Sequence, residues 1–405
     1  MALARLTERR ARPAGGIGGL GIGGSERWWL WPAALWLVSR LVSTAFLGAF
    51  AGRQEQSSWT PAGPDLLDYS TMWDAHWYFI VSVSGYPAEL PITDDGHVGE
   101  NAWAFMPVFP MVARLLTAVG LPWELASVTL SVVASFAFAL VAFRLFADIA
   151  PGRERFALAI VLLSPTAPVL QLGYAESLFL LLLAGALLAW RRRAWPWLWV
   201  LLPVLSLTRP GGLAFALALG LWFVIRARRD PDAFPAAERR TVVALGAWSA
   251  LWGFAWLIAC TLVTGSAAAY LETELSWRSA YIGRQELVPL TPWPIGLEWW
   301  FGAWWPLWLV AIIGAAVALL AGPWRKGVAL EPRLWTIAYL LYLAAVWFPQ
   351  SSTWRLLMPI FPAAVLLAAL RPTWARALLL AACVVLQPVW IWFCWHVNGA
   401  DWTVP

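Results

Sequence analysis

The sequence predicts an all-α polytopic membrane protein, and three observations point to it. Of 405 residues only 13% are charged and 61% are hydrophobic, with a mean hydropathy of +0.66; soluble domains carry about a quarter charged residues. Apolar stretches recur at lengths near the ~20 residues that a bilayer-spanning helix needs. Arginines gather in the short loops between those stretches, as orientation in a membrane requires. The net charge of +5 follows these loops and not one face, which speaks against a nucleic-acid partner. Lys326 is the one lysine among the 28 basic residues, a bias that fits a GC-rich bacterial genome.

Residues 1–27 read as a flexible basic cytoplasmic tail. Gly16 to Gly21 satisfies G-x-G-x-x-G, but no strand precedes it and a tryptophan-rich apolar stretch follows, so the dinucleotide fingerprint fails its context. That stretch is also too long for a cleavable signal peptide and lacks a small-residue cleavage site. The first span covers 28–50, and 51–120 forms a large outer loop. Within it, 104–120 is apolar but holds Pro107, Pro110 and Arg114. If it crossed the membrane, the later basic loops would face away from the N-terminal tail. As a surface or re-entrant helix it lets the tail, Arg153/Arg155, Arg191–Arg193, Arg226/Arg228/Arg229/Arg239/Arg240, Arg325/Lys326 and Arg371/Arg376 share the cytoplasmic side.

Further spans are predicted near 125–146, 156–172, 177–190, 195–207, 211–225, 241–264, 300–321, 334–346, 356–370 and 377–395. The total is about eleven at ~20 residues each, in one transmembrane domain over 28–395, with 396–405 as an external tail. The outer side collects Asp65, Asp68, Asp74, Glu89, Asp94, Asp95, Glu100 and Glu176, and a second outer loop lies near 265–298. Any chemistry is therefore expected on the non-cytoplasmic face. Cys260, Cys383 and Cys394 lie in apolar segments without metal-ligand spacing and read as packing residues.

The stretch "MWDAHWYFIVSVSGYP" (72–87) sets Asp74 and His76 among aromatics that suit a membrane interface. A helix over 71–84 is predicted, with Trp73, Trp77, Ile80 and Val81 on its apolar face. Thr71-x-x-Asp74 satisfies a loose capping box, so Asp74 is either a helix cap or a reactive carboxylate. His76 is either interfacial packing or a helper of a general base. Glu176 in "GYAES", Arg209 in "LTRPGG" and Arg355 in "SSTWRLLMP" each stand at the mouth of an apolar span. Ionisable groups there are costly and usually functional, and arginine suits a lipid phosphate through bidentate bonds; snorkelling to headgroups is the rival explanation. Arg40, inside the first span, is expected to pair with an acid.

"MWDAHWYFIVSVSGYP", "AFMPVFPMVARLL", "GYAESLFLLLLAGALLAWRRR", "LSLTRPGGL" and "STWRLLMPIFP", in that order, resemble the PIG-V family of mannosyltransferases, relatives of the second mannosyltransferase of GPI-anchor assembly. The likeness runs from about residue 28 to 370. It implies a GT-C glycosyltransferase bundle with surface helices in the first outer loop and an active site at the outer face. It also implies a polyprenyl-phosphate-mannose donor, with a glycolipid, glycan or protein as acceptor. By motif match Asp74 becomes the catalytic base, helped by His76, while Glu176, Arg209, Arg355 and Tyr78 line the donor phosphate site.

Asp74 would take the proton of an acceptor hydroxyl as that oxygen attacks the anomeric carbon, through an oxocarbenium-like transition state. An arginine would stabilise the departing lipid phosphate, and one displacement inverts the anomeric configuration. No cofactor is required; a divalent cation bridging Asp74 and the phosphate stands as an alternative. Two rival classes remain, a lipid-linked-sugar flippase without bond-making and an accessory membrane subunit. Transporters tend to show internal repeats, which this chain lacks.

Overall fold

The structure, a computed structural model, describes residues 27–286, 288–321, 328–398 and 405. Most of the expected cytoplasmic tail, Arg325, Lys326 and residues 399–404 lie outside the described residues. The described chain is helical, and its β pairing among those residues is an isolated bridge between Ile92 and Val98. In chain order the helices are α1 (Leu30–Ala51), α2 (Leu66–Tyr69), α3 (Asp74–Ser84), α4 (Val108–Ala118), α5 (Trp123–Ile149), α6 (Glu154–Leu162), α7 (Glu176–Arg191), α8 (Trp195–Ser206) and α9 (Gly212–Arg229). They continue as α10 (Ala236–Thr264), α11 (Ala269–Ile282), α12 (Pro292–Phe301), α13 (Trp305–Ala321), α14 (Leu330–Val346), α15 (Thr353–Leu356), α16 (Ala364–Leu367) and α17 (Thr373–Trp390).

Among the described residues five helical runs are long and apolar enough to cross a membrane: α1, α5, α10, the joined run Pro292–Leu319 and Thr373–Trp395. The other predicted spans are shorter helices. The stretch expected over 156–172 is α6, nine residues long, followed by a 3-10 turn at Ala167–Gln171. Pro165 and Pro168 explain the break, because each removes a backbone donor and crowds the preceding turn. Pro359 and Pro362 break the stretch over 356–370 in the same way. The segment over 104–120 yields α4, 11 residues or ~16 Å long, about half the ~30 Å of a hydrocarbon core.

Among the described residues no acid pairs with Arg40. Its guanidinium donates to Ala167 O (2.8 Å), Gln171 Oε1 (3.2 Å) and Leu162 O (3.5 Å), carbonyl and amide groups freed where α6 breaks. An irregular backbone at this depth needs such internal partners.

The bundle packs through small residues. Ala139 and Ala142 of α5 and Ala184 and Ala186 of α7 are buried in one cluster with Phe138, Phe146, Leu183 and Leu187, and close backbone approach gives van der Waals contact where lipid supplies no hydrophobic drive. At the crossing of α9 and α10, a Cβ on Gly212 would meet the Gly253 backbone at 2.9 Å. Leu41, Leu262 and Val385 instead project outward and are exposed, as lipid-facing residues would be.

Helix α7 joins two charged layers at opposite ends of the bundle. At its C-terminal end Arg192 pairs with Asp148 (2.7 Å), and Arg193 pairs with Glu331 and Glu238 (both 3.0 Å). At its N-terminal end, ~24 Å away by helical rise, stands Glu176.

Candidate active site

The chain enters α3 through an unusual backbone. Trp73 has φ 58° and ψ −124°, a region used mainly by glycine and costing about 1–3 kcal/mol in other residues. Packing over-determines it: Trp73 is buried, its indole N–H donates to Trp395 O at 3.0 Å, and its ring lies 5.2 Å from that of Trp59. The helix therefore begins at Asp74 and not at Thr71.

Of the two readings of Asp74, the capping box is not formed. Thr71 Oγ1 donates back to the carbonyls of Leu67 (3.0 Å) and Asp68 (3.2 Å). The Asp74 N–H donates to the Tyr174 hydroxyl at 3.0 Å, which leaves the Asp74 carboxylate free to face Arg355.

Four of the residues singled out in the sequence meet in one alternating chain of charge. Arg355 Nη1 donates to Asp74 Oδ2 and also lies 3.1 Å from Glu176 Oε1. The same Glu176 oxygen accepts from Arg209 Nη1 at 2.5 Å. The middle pair is closed off, with side-chain exposures of 8% for Arg355 and 4% for Glu176, whereas the ends, Asp74 at 22% and Arg209 at 16%, reach solvent. Two acids and two arginines balance, the condition under which buried charge is tolerated. Burial alone would lower the arginine pKa values. The carboxylates reverse this, Glu176 for Arg209 and Asp74 with Glu176 for Arg355, so both guanidiniums are raised.

Two polar atoms of these four side chains are buried without a hydrogen-bond partner among the described residues, Glu176 Oε2 and Arg355 Nε. Native proteins rarely leave such groups unmet. They are a free acceptor and a free donor at the centre of the site.

Tyr174, which the sequence reading missed, supports the chain from below. It is fully buried, the Arg355 guanidinium lies 5.1 Å from its ring centroid, and its carbonyl accepts from Ser131 Oγ at 3.0 Å. Gly173 permits this: its N–H donates to Ser70 O at 2.9 Å, and a Cβ there would meet Ser127 Oγ at 2.8 Å. Tyr78 packs between Phe105 (5.5 Å) and Phe109 (5.0 Å), within electrostatic reach of all four charges; burial pushes its phenol up, and it remains a neutral donor at pH 7. His76 is not in the cluster. It is exposed, with its ring 5.6 Å from Trp59 in an edge-on contact, because residues two apart on a helix do not share a face.

A second polar group adjoins the first and was also missed. Glu274 on α11 lies within electrostatic reach of Arg209, Arg278 and Tyr270. Arg278 is buried; its Nη2 donates to Val346 O at 2.5 Å, and its Nη1 has no partner. A helix in an outer loop of ordinary composition gave no signal for either residue.

The described side chains offer no ready cluster for a divalent cation. Among the described residues no group of three or more His, Cys, Asp or Glu gathers as metal ligands, and Arg355 already lies between the two carboxylates of the cluster. Asp65 is engaged otherwise, accepting the Asp68 N–H at 2.9 Å. Comparison with known protein families and with characterised proteins returns no match for this chain.

Proposed function

We propose that the chain is an inverting membrane glycosyltransferase that moves a mannosyl or other hexosyl unit from a polyprenyl-phosphate-sugar to an acceptor hydroxyl. The observation that carries this reading is the chain Asp74–Arg355–Glu176–Arg209, with its two ends, the Asp74 carboxylate and the Arg209 guanidinium, open to solvent. The resemblance of the motifs around these four residues to PIG-V mannosyltransferases agrees with it, as an associational support.

Arg355 orients the Asp74 carboxylate toward the acceptor as its base. As the acceptor oxygen attacks the anomeric carbon, its proton passes to Asp74 Oδ1. The bond from that carbon to the phosphate oxygen breaks, and the electron pair leaves with the polyprenyl phosphate. The open end of Arg209 meets the growing phosphate charge, the role of preorganised donors in water-poor sites, while the closed-off Arg355 fixes the Asp74 carboxylate. Tyr78 adds a neutral hydroxyl donor. A positioned base contributes ~10²–10⁴-fold. No step runs through a metal.

The reading extends to topology. The Arg191–Arg193 end of α7 is cytoplasmic by the positive-inside rule, so the Glu176 end lies at the outer face of a bacterial plasma membrane. The shorter helices pair or tilt to complete about eleven crossings of a ~30 Å core.

The test uses purified protein in liposomes containing polyprenyl-phosphate-mannose labelled in the sugar, with native lipid extract as acceptor. The expected result is label in a new, anomerically inverted glycoside and an equal release of polyprenyl phosphate. Donor translocated intact would assign the flippase class instead. Donor neither cleaved nor moved would remove both.

A further inference from the structure

A groove of about 560 Å³ opens along the outer-loop helix that carries Asp74, and neither the charge cluster nor the proposed donor site uses it. Its wall begins at Trp77, one turn from Asp74, and includes Ser84, Tyr86, Glu89, Leu90 and Glu100. On the helical wheel Trp77 and Ser84 lie to one side of Asp74 and Tyr78 to the other, so groove and cluster occupy adjacent faces of α3.

The groove walls are packed aromatic rings. The Trp77 ring stacks on Phe105 at 5.6 Å and 4° and meets Trp277 edge-on at 5.3 Å. Tyr86 lies 4.7 Å from both Trp103 and Trp256, and its hydroxyl donates to Phe105 O at 2.8 Å. The carboxylates are unlike those of the cluster: Glu89 and Glu100 are exposed and form no salt bridge among the described residues.

We infer that this groove is the acceptor subsite and that it takes an uncharged glycan. The inference rests on the transferase reading and names its acceptor class. A pyranose presents C–H faces to aromatic rings and hydroxyl donors to carboxylates, and Trp77 with Glu89 and Glu100 offers both. Two unpaired carboxylates repel a phosphorylated headgroup, by the like-charge exclusion that gives interfaces their specificity. The same repulsion keeps the donor, with its phosphate, at the arginines. A glycan seated here would bring a terminal hydroxyl within one helical turn of Asp74.

Saturation-transfer NMR on the full chain in nanodiscs tests this without any need for turnover. The probes are mannotriose and maltotriose, with mannose 6-phosphate as the charged comparator. Wild type should bind at least one trisaccharide at least tenfold more tightly than the phosphosugar. Glu89→Gln/Glu100→Gln, at exposed positions, should weaken trisaccharide binding about tenfold and narrow the gap to the phosphosugar. Ser84→Trp, which fills the groove from an exposed site, should abolish binding, and Asp74→Asn should retain it. Trisaccharide binding unchanged by the groove variants, absent from wild type, or no tighter than that of the phosphosugar overturns the inference. Transfer and groove binding are read separately: binding with no transfer in wild type leaves the glycan site standing and refutes the transferase.

Discussion

Neutralising Glu176 and removing one of its arginines together should cost less than the two changes made singly add up to. Glu176 Oε1 sits 2.5 Å from Arg209 Nη1 and 3.1 Å from Arg355 Nη1. At an effective dielectric near 20 these are attractions of roughly 5–7 kcal/mol each, most of it offset by desolvation. Glu176→Gln leaves two guanidiniums against Asp74 alone, and breaking a buried pair from one side costs about 3–5 kcal/mol. Glu176→Gln/Arg209→Met restores balance, with Asp74 against Arg355. The double variant should therefore recover about 1–3 kcal/mol relative to the sum of the single variants, the range of coupling between contacting residues. Equilibrium unfolding of the protein in mixed micelles, followed by tryptophan fluorescence, measures the cycle. Additivity to within about 0.5 kcal/mol would refute the charge-balance reasoning.

Three further outcomes follow from the structure. At Trp73, alanine should cost about 3–5 kcal/mol through the lost packing, and glycine about 1 kcal/mol less than alanine because it relieves the positive φ; the same unfolding assay, showing alanine the more stable, would remove the strain. Gly173→Ala should destabilise by about 1–3 kcal/mol through overpacking, and Ser127→Gly should restore part of it, since the Ser127 hydroxyl is the nearest atom to the added methyl. His396 is held below its ordinary pKa by burial, with Glu55 working the other way. The unfolded chain then binds its proton more readily, so stability should fall as pH drops through about 6.5, and His396→Phe should flatten that slope.

The four charges of the site were legible in the sequence because each interrupts an apolar stretch, where an ionisable group is conspicuous. Their pairing was not legible. Asp74 and Arg355 stand 281 residues apart, and nothing local tells which arginine meets which acid. Tyr174 went unnoticed because a tyrosine beside apolar spans has the look of an interface anchor. Thr71-x-x-Asp74 kept two readings open because the spacing of a capping box is satisfied, and only the backbone at Trp73, which turns the chain away from it, excludes the cap. The spans are a similar case: hydropathy marks how apolar 156–172 is, but Pro165 and Pro168 decide that it breaks, and Arg40 had the look of an ion-pair partner until that break supplied carbonyls. α1, α5 and α10 were plain because no proline interrupts their central turns, whereas Pro306 and Pro388 stand inside the other two long runs.

The most direct test of the account is sugar transfer by Asp74→Asn, measured beside wild type and His76→Ala at matched expression and matched unfolding midpoint. The amide keeps the shape of the side chain and can still accept from Arg355, but it cannot take a proton. Transfer should fall by at least ~10² in Asp74→Asn, while His76→Ala, outside the cluster, should keep more than about a tenth of the wild-type rate, since an exposed side chain without such a role costs little. Undiminished transfer by Asp74→Asn would contradict the account at its centre.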